Sequence, residues 1–168
     1  MCEKVIKKQW IEFLEDNKIL SNSQFGFRKG RSCVTNLLSF YSRIVDKVQE
    51  REGWVDCIYL DLKKAYDKVP HERLLWKLEK GGLKGSTLRW MKNYLRGREI
   101  RTTVKDMRSK WRTVDSGVHR GQYGTNTFLV YINDMPEGVN SYINLFADDA
   151  KLCRVIKQKR IVKYYRKT

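Results

Sequence analysis

Apolar positions recur along the chain first at helical and then at strand-like spacing. Val5, Ile6, Trp10, Phe13 and Leu14 fall on one face of a helix ending near Asn17. A polar, glycine-containing connector follows from Ser21 to Arg31. The next periodic stretch predicts a helix over Thr35–Arg51, with Leu37, Leu38, Tyr41, Ile44, Val45 and Val48 on one side and Gly53 as its stop. Trp54–Leu62 reads as a buried strand, because Val55, Cys57, Ile58, Tyr59 and Leu60 mostly favour β structure. Pro70 suits the first turn of a helix carrying Leu74, Leu75 and Leu78 and closed by Gly81 and Gly82. Ser86 is placed to cap another, with Leu88, Met91, Tyr94 and Leu95, ending at Gly97. Ile100–Val104 and Trp111–Val114 read as hairpin arms turning at Asp106–Ser109. A helix with Phe128, Leu129 and Ile132 stops near Pro136–Gly138, and Tyr142–Ala147 and Lys151–Ile156 form a second hairpin about Asp148 and Asp149.

The predicted order is helix, helix, strand, helix, helix, hairpin, helix, hairpin. That order suggests an α+β fold, an antiparallel sheet with helices on one face. With 41% hydrophobic and 12% aromatic residues in 168, the composition excludes a disordered chain. The densest apolar run, Phe128–Ile132, is five residues long, against the ~20 a membrane helix needs. The first eight residues include an acid and no apolar signal core, and the four cysteines show no CxxC or CxxH spacing. These features predict an intracellular protein, in cytoplasm or nucleus, with reduced thiols and no zinc module.

Charge changes the picture most. Lys and Arg number 35 against 19 Asp and Glu, a formal net charge of +16. Residues 151–168 hold eight of the basic groups and no acid. Such a surplus predicts a polyanionic partner, nucleic acid first, bound in a salt-dependent way. A basic protein without a specific partner is the alternative that charge alone leaves open.

Two short stretches carry candidate chemistry. Asp61 ends an otherwise apolar strand, where a lone carboxylate is costly to bury. Asp148 and Asp149 set two like charges side by side between β-favouring runs, 87 residues further on. A divalent cation would relieve both costs, and all-oxygen ligands suit Mg²⁺ (or Mn²⁺). A pair of such ions could activate a 3′-hydroxyl and stabilise a leaving pyrophosphate. The plainer alternative is a turn pair and a strand-end cap.

The chain also resembles reverse transcriptases of non-LTR retrotransposons, the long interspersed, jockey-like elements. The resemblance runs from about residue 3 to 154 through ordered blocks: Gln24–Ser32 (QFGFRKGRS), Asp61–His71 (DLKKAYDKVPH), Ser116–Val118, Tyr131–Asp134 (YIND) and Phe146–Asp149 (FADD). It implies an RNA-directed DNA polymerase with a palm, part of the fingers and no thumb. The implied plan is partial fingers over 1–53, palm over 54–156 and a diverged basic tail over 157–168. By the resemblance, Asp61, Asp148 and Asp149 hold two catalytic Mg²⁺ (or Mn²⁺) ions. Tyr66 matches the steric gate that selects dNTPs against a ribose 2′-hydroxyl. Arg28 and Lys29 match the segment contacting the incoming triphosphate, with Gly26 and Gly30 letting backbone approach phosphate. Gly121 falls in the nucleotide-binding loop, and Arg31 and Lys151 face nucleic acid. The implied partners are an RNA template, a DNA primer and dNTPs. His71 reads as structural.

The likeness breaks in two places. After Ser116–Val118 the family continues Pro-Gln-Gly-Ser, whereas this chain has His119–Thr127 (HRGQYGTNT), one residue shorter before Phe128. Losing the proline removes a fixed φ, and Arg120 brings a charge where the family has an amide. Past Arg154 the similarity ends, as in a frameshifted or truncated element. Two expectations result: a palm and fingers fragment of an RNA-directed DNA polymerase, or a catalytically inactive, basic nucleic-acid-binding remnant.

Overall fold

The computed structural model describes residues 2–49, 54–119 and 122–156, apart from the side chains of 2–7, 122 and 123. Gly53, Arg120, Gly121 and the tail over 157–168 lie outside the described residues. The architecture is α+β.

Four helices make the larger core: α1 (Cys2–Asp16), α3 (His71–Lys80), α4 (Gly85–Leu95) and α5 (Gln122–Ile132). Trp10 and Leu14 of α1 meet Leu74, Leu75 and Leu78 of α3, Met91 and Leu95 of α4, and Phe128, Leu129 and Ile132 of α5. Each fully buried leucine contributes about 2 kcal/mol of transfer free energy, so this helical cluster is the main source of stability. From Gly124 to Val130, α5 is buried at every position, including Thr125, Asn126 and Thr127. A Cβ on Gly124 would fall on the His119 carbonyl, so only glycine lets α5 press against the preceding segment.

The sheet has three antiparallel strands in the order β1 (Trp54–Leu60), β7 (Asp149–Ile156), β6 (Tyr142–Phe146). The β1–β7 register runs from Trp54↔Ile156 to Leu60↔Ala150, and the β6–β7 register from Tyr142↔Cys153 to Phe146↔Asp149. Helix α2 (Cys33–Gln49) packs on one face, its Phe40 ring between Tyr59 and Tyr142 at 6.1 and 6.4 Å. On the other face Ile143, Leu145 and Ala150 form a small second cluster with Met135 and Leu152. The remaining strands, β2 (Glu99–Ile100), β3 (Thr103–Val104), β4 (Met107–Arg108) and β5 (Arg112–Thr113), pair as one ribbon, β2 with β5 and β3 with β4.

Four local expectations need correction. The strand at Trp54–Leu60 is an edge, not buried: Trp54, Ile58 and Tyr59 are each more than half exposed. In α2 the buried residues are Asn36 and Phe40, while on the predicted apolar side Leu37, Leu38, Tyr41 and Val48 are exposed and only Ile44 and Val45 are half-buried. Ser86 does not cap α4; the helix starts at Gly85 after an extended Lys84, without a side-chain cap. The ends at Gly81 and Gly97 and the β6–β7 hairpin agree with the sequence reading. The first hairpin, however, turns at Lys105 and Asp106 rather than over Asp106–Ser109, because Met107 and Arg108 pair as a strand with Thr103 and Val104.

Candidate active site

The ladder itself gathers the acidic residues. Leu60↔Ala150 is the last β1–β7 pair, so Asp61 follows at the same sheet end as Asp149, which pairs with Phe146. Ala147 and Asp148 make the β6–β7 turn, and Ala147 holds a φ of +53°, a left-handed conformation costly for a non-glycine residue. Asp148 is half-buried; Asp61 and Asp149 are exposed. A cavity of about 410 Å³ opens there, lined by Phe27, Tyr66, Thr125, Phe146, Ala147, Asp148 and Asp149.

Tyr66 enters this cavity from a short 3₁₀ turn, Tyr66–Lys68. Its ring is 7% exposed and stacks on Phe128 at 4.1 Å. The turn is clamped by the Ser116–Val118 segment: Val118 N–H donates to the Tyr66 carbonyl at 2.8 Å and Ser116 Oγ to the Asp67 carbonyl at 2.9 Å. Gly117, at φ +94°, sits where a Cβ would lie 2.9 Å from Asp67 backbone atoms. The His71 ring pairs its Nε2 with the Gly117 carbonyl at 2.9 Å, which is the structural role expected of it.

The basic loop approaches from the other side. Its Gln24 forms an isolated parallel bridge with Leu145 of β6, and Phe25 N–H donates to the Leu145 carbonyl at 2.9 Å. Arg28 is turned inward: Nε donates to Glu15 Oε1 at 2.8 Å, and Nη1 reaches the Ser21 and Gln24 carbonyls at 2.7 and 3.3 Å. Hydrogen bonding from Arg28 holds the Glu15 carboxyl below its usual range. Arg31 donates to the Asn22 and Gln24 carbonyls at 2.5 and 2.8 Å and lies over the Phe25 ring at 4.7 Å. Burial pulls its guanidinium down from the usual value, and the nearby Arg28 charge adds to that. Lys29 points to solvent. Lys151 is directed into the α2–sheet contact, donating to Asn36 Oδ1 at 3.2 Å above the Phe40 ring.

Of the residues singled out from sequence, Tyr66, Asp148 and Asp149 thus line one cavity and Asp61 lies at the same sheet end. Arg28, Arg31 and Lys151 spend their hydrogen bonds within the fold, and Gly121 lies outside the described residues. Gln24, Phe27 and Thr125 were missed as site residues. Gln24 opens the Gln24–Ser32 block, but nothing local marks its amide as buried. The all-oxygen donor set of Asp61, Asp148 and Asp149 suits a hard divalent cation. Among the described residues no three His, Cys, Asp or Glu side chains already form a metal-binding group. Mg²⁺ is commonly held by one or two carboxylates completed by water and substrate phosphates, so a full protein cage is not required.

The family model for reverse transcriptase (RNA-dependent DNA polymerase) matches residues 1–164, and the chain belongs to that family. Among individual proteins it is 29% identical over 153 residues to the probable RNA-directed DNA polymerase from transposon X-element of Drosophila melanogaster, covering 88% of this chain and 17% of that protein. The probable RNA-directed DNA polymerase from transposon BS of the same fly is 27% identical over 137 residues, 81% of this chain and 15% of that one. The RNA-directed DNA polymerase from mobile element jockey of Drosophila funebris is 26% identical over 137 residues, again 81% and 15%. The chain therefore spans about a sixth of the length of the curated relatives it matches.

Proposed function

We propose that this chain is the carboxylate-bearing part of an RNA-directed DNA polymerase of a mobile element. It would join dNTPs to a primer 3′-hydroxyl on an RNA template. The observation that carries the reading is the meeting of Asp61, Asp148 and Asp149 at one sheet end, beside a cavity walled by Tyr66. In this reading residues 54–156 act as palm and 1–53 as part of the fingers. The three aspartates hold Mg²⁺ or Mn²⁺, two ions, which when bound supply charge neutralisation at the attacking hydroxyl and the triphosphate. Tyr66 stands where a nucleotide sugar would meet a rigid ring. Its stack on Phe128 prevents it from yielding to a 2′-hydroxyl. Exposed Lys29 is the loop cation left to meet a triphosphate, since Arg28 and Arg31 brace the loop from within. Catalysis of this kind is positioning and electrostatics, which a rigid turn serves.

The test is primer extension on an annealed RNA template with dNTPs and Mg²⁺ or Mn²⁺, comparing the chain with its Asp148→Asn/Asp149→Asn variant. Extension by the parent and none by the variant supports the reading. One observation favours a second reading, a basic remnant that binds nucleic acid without chemistry: the stretch His119–Thr127, where the chain departs from the family pattern, supplies Thr125 to the cavity wall. Salt-sensitive RNA binding without extension would select it.

A further inference from the structure

The described cavities, exposed patches and thiols leave one arrangement unused by the proposed reaction, at the contact between the loop and the carboxylate turn. Gln24 is 2% exposed, with both ends of its amide engaged. Its Oε1 accepts from Gly26 N–H at 2.8 Å and from Ala147 N–H at 2.9 Å, and its Nε2 donates to the Ala147 carbonyl at 3.3 Å. One side chain therefore brackets both peptide groups of the residue immediately before Asp148. Ala147 is also the residue of the β6–β7 turn with positive φ, so the bracket falls on a backbone conformation that needs external support. Gly26 completes it: a Cβ there would fall on the Ala147 amide nitrogen. A second amide secures the strand beneath. Asn36 Nδ2 donates to the Leu145 carbonyl at 3.2 Å, and Asn144 Nδ2 to the Asn36 carbonyl at 3.1 Å.

We infer that Gln24 is a positioning residue for the carboxylate turn, fixing Ala147 so that Asp148 and Asp149 present their oxygens to one cavity. The inference rests on the proposed metal-binding role of those aspartates and adds what holds them. A neutral amide is the side chain suited to the task, because the turn offers one donor and one acceptor at its clamped residue. Glutamate at this position would keep the acceptor and lose the donor. Methionine keeps the length and apolar volume and loses all three hydrogen bonds. Residues that orient metal ligands from behind typically change metal affinity by about 10–100-fold when removed.

The experiment measures Mn²⁺ binding to the chain, in the parent, Gln24→Met, Gln24→Glu and Asp148→Asn/Asp149→Asn. Amide hydrogen exchange at Ala147 is followed in the same samples. The expected result is a Mn²⁺ affinity lowered about tenfold or more in Gln24→Met, with a smaller loss in Gln24→Glu. Ala147 exchange should speed up locally while core amides of α3 and α5 stay protected, and RNA affinity should be unchanged. A packing role alone would not make Gln24→Glu the milder change, since a buried carboxylate is the harder residue to accommodate. Unchanged Mn²⁺ affinity and unchanged Ala147 exchange in Gln24→Met would overturn the inference. If the parent shows no Mn²⁺ binding that depends on Asp148 and Asp149, the metal reading fails, and Ala147 exchange alone decides for or against the bracket. Should Gln24→Met fail to fold, Gln24→Asn, whose amide falls one methylene short of Ala147, is read in the same two ways: weaker Mn²⁺ binding with faster Ala147 exchange supports the inference, and both unchanged overturns it.

Discussion

Two basic regions of this molecule use their charge in opposite ways. In the loop Ser21–Arg31, Arg28 and Arg31 are folded back onto Glu15 and onto backbone carbonyls, and the loop is tied to the carboxylate turn by Gln24. In the ribbon from Arg98 to Val114, Arg101, Lys105, Arg108, Lys110 and Arg112 are all exposed, as are Ile100, Val104, Met107 and Trp111. Arg28 and Arg31 are structural parts whose removal leaves part-buried carbonyls unpaired, and Lys29 alone of the loop's three cations stays open to solvent. The ribbon's cations remain available to an external polyanion. Counting basic residues therefore overstates the charge open to solvent at the loop but not at the ribbon.

The largest effect expected is at the wall between the loop and the core. Tyr66→Ala removes a ring that is both buried against Phe128 and exposed to the cavity. It should lower stability by about 3 kcal/mol, read by urea unfolding. In a polymerising assay it should also narrow the preference for dNTPs over ribonucleotides. Unchanged discrimination would confine Tyr66 to packing. Gly26→Ala comes next. Its added Cβ collides with backbone rather than with a movable side-chain tip, so about 2 kcal/mol should be lost. Met107→Ala on the ribbon, at a residue 78% exposed, should stay within about 0.5 kcal/mol. Equal losses at both positions would erase the contrast.

How much of this was legible depended on how local the cause was. The strand-end carboxylates, the helix ends at Gly81 and Gly97 and the β6–β7 hairpin are written in short segments and stand where the sequence reading expected them. The turn of the other hairpin falls at Lys105 and Asp106 rather than over Asp106–Ser109. The burial pattern was not local. Val55–Leu60 is apolar enough for a central strand, yet β1 is an edge because no strand pairs with its outer side among the described residues. In α2 the helical periodicity picked Leu37 and Tyr41, whereas the buried residues are Phe40 and the polar Asn36. Its partners Asn144, Leu145 and Lys151 lie more than 100 positions away. Gln24 escaped notice for the same reason, since its partner Ala147 is 123 residues distant.

Acid should distinguish the loop from the ribbon with a smaller effect. The Glu15 carboxyl is held below its usual value of 4.5, so its folded form binds a proton less readily than the unfolded chain does. The stability it contributes is present above that usual value and is lost as pH falls through the lower, folded one. Glu15→Gln should therefore lower the melting temperature near neutral pH and flatten its decline in acid, since the residue that titrates is gone. A decline with unchanged shape would show that the pair with Arg28 contributes nothing measurable despite its burial.

The smallest effect on stability, and the most selective on binding, is expected at the ribbon. Arg101 lies over the Trp111 ring at 4.4 Å, so a cation and an aromatic face stand together on the exposed ribbon. Single-stranded RNA binds such surfaces through phosphate contacts and base stacking. Replacing Arg101, Arg108 and Arg112 together by alanine should leave unfolding within about 0.5 kcal/mol, because exposed cations contribute little to the fold. The slope of log affinity against log salt should fall by about 0.7 for each cation that had met a phosphate on a single strand. Trp111→Ala should weaken RNA binding by about 1–3 kcal/mol with the salt slope intact, because stacking releases no counterions. The two variants thus separate charge from stacking on one ribbon. If neither changes RNA affinity, the ribbon's charge is only a solvated face, and the contrast with the loop would have to rest on folding alone.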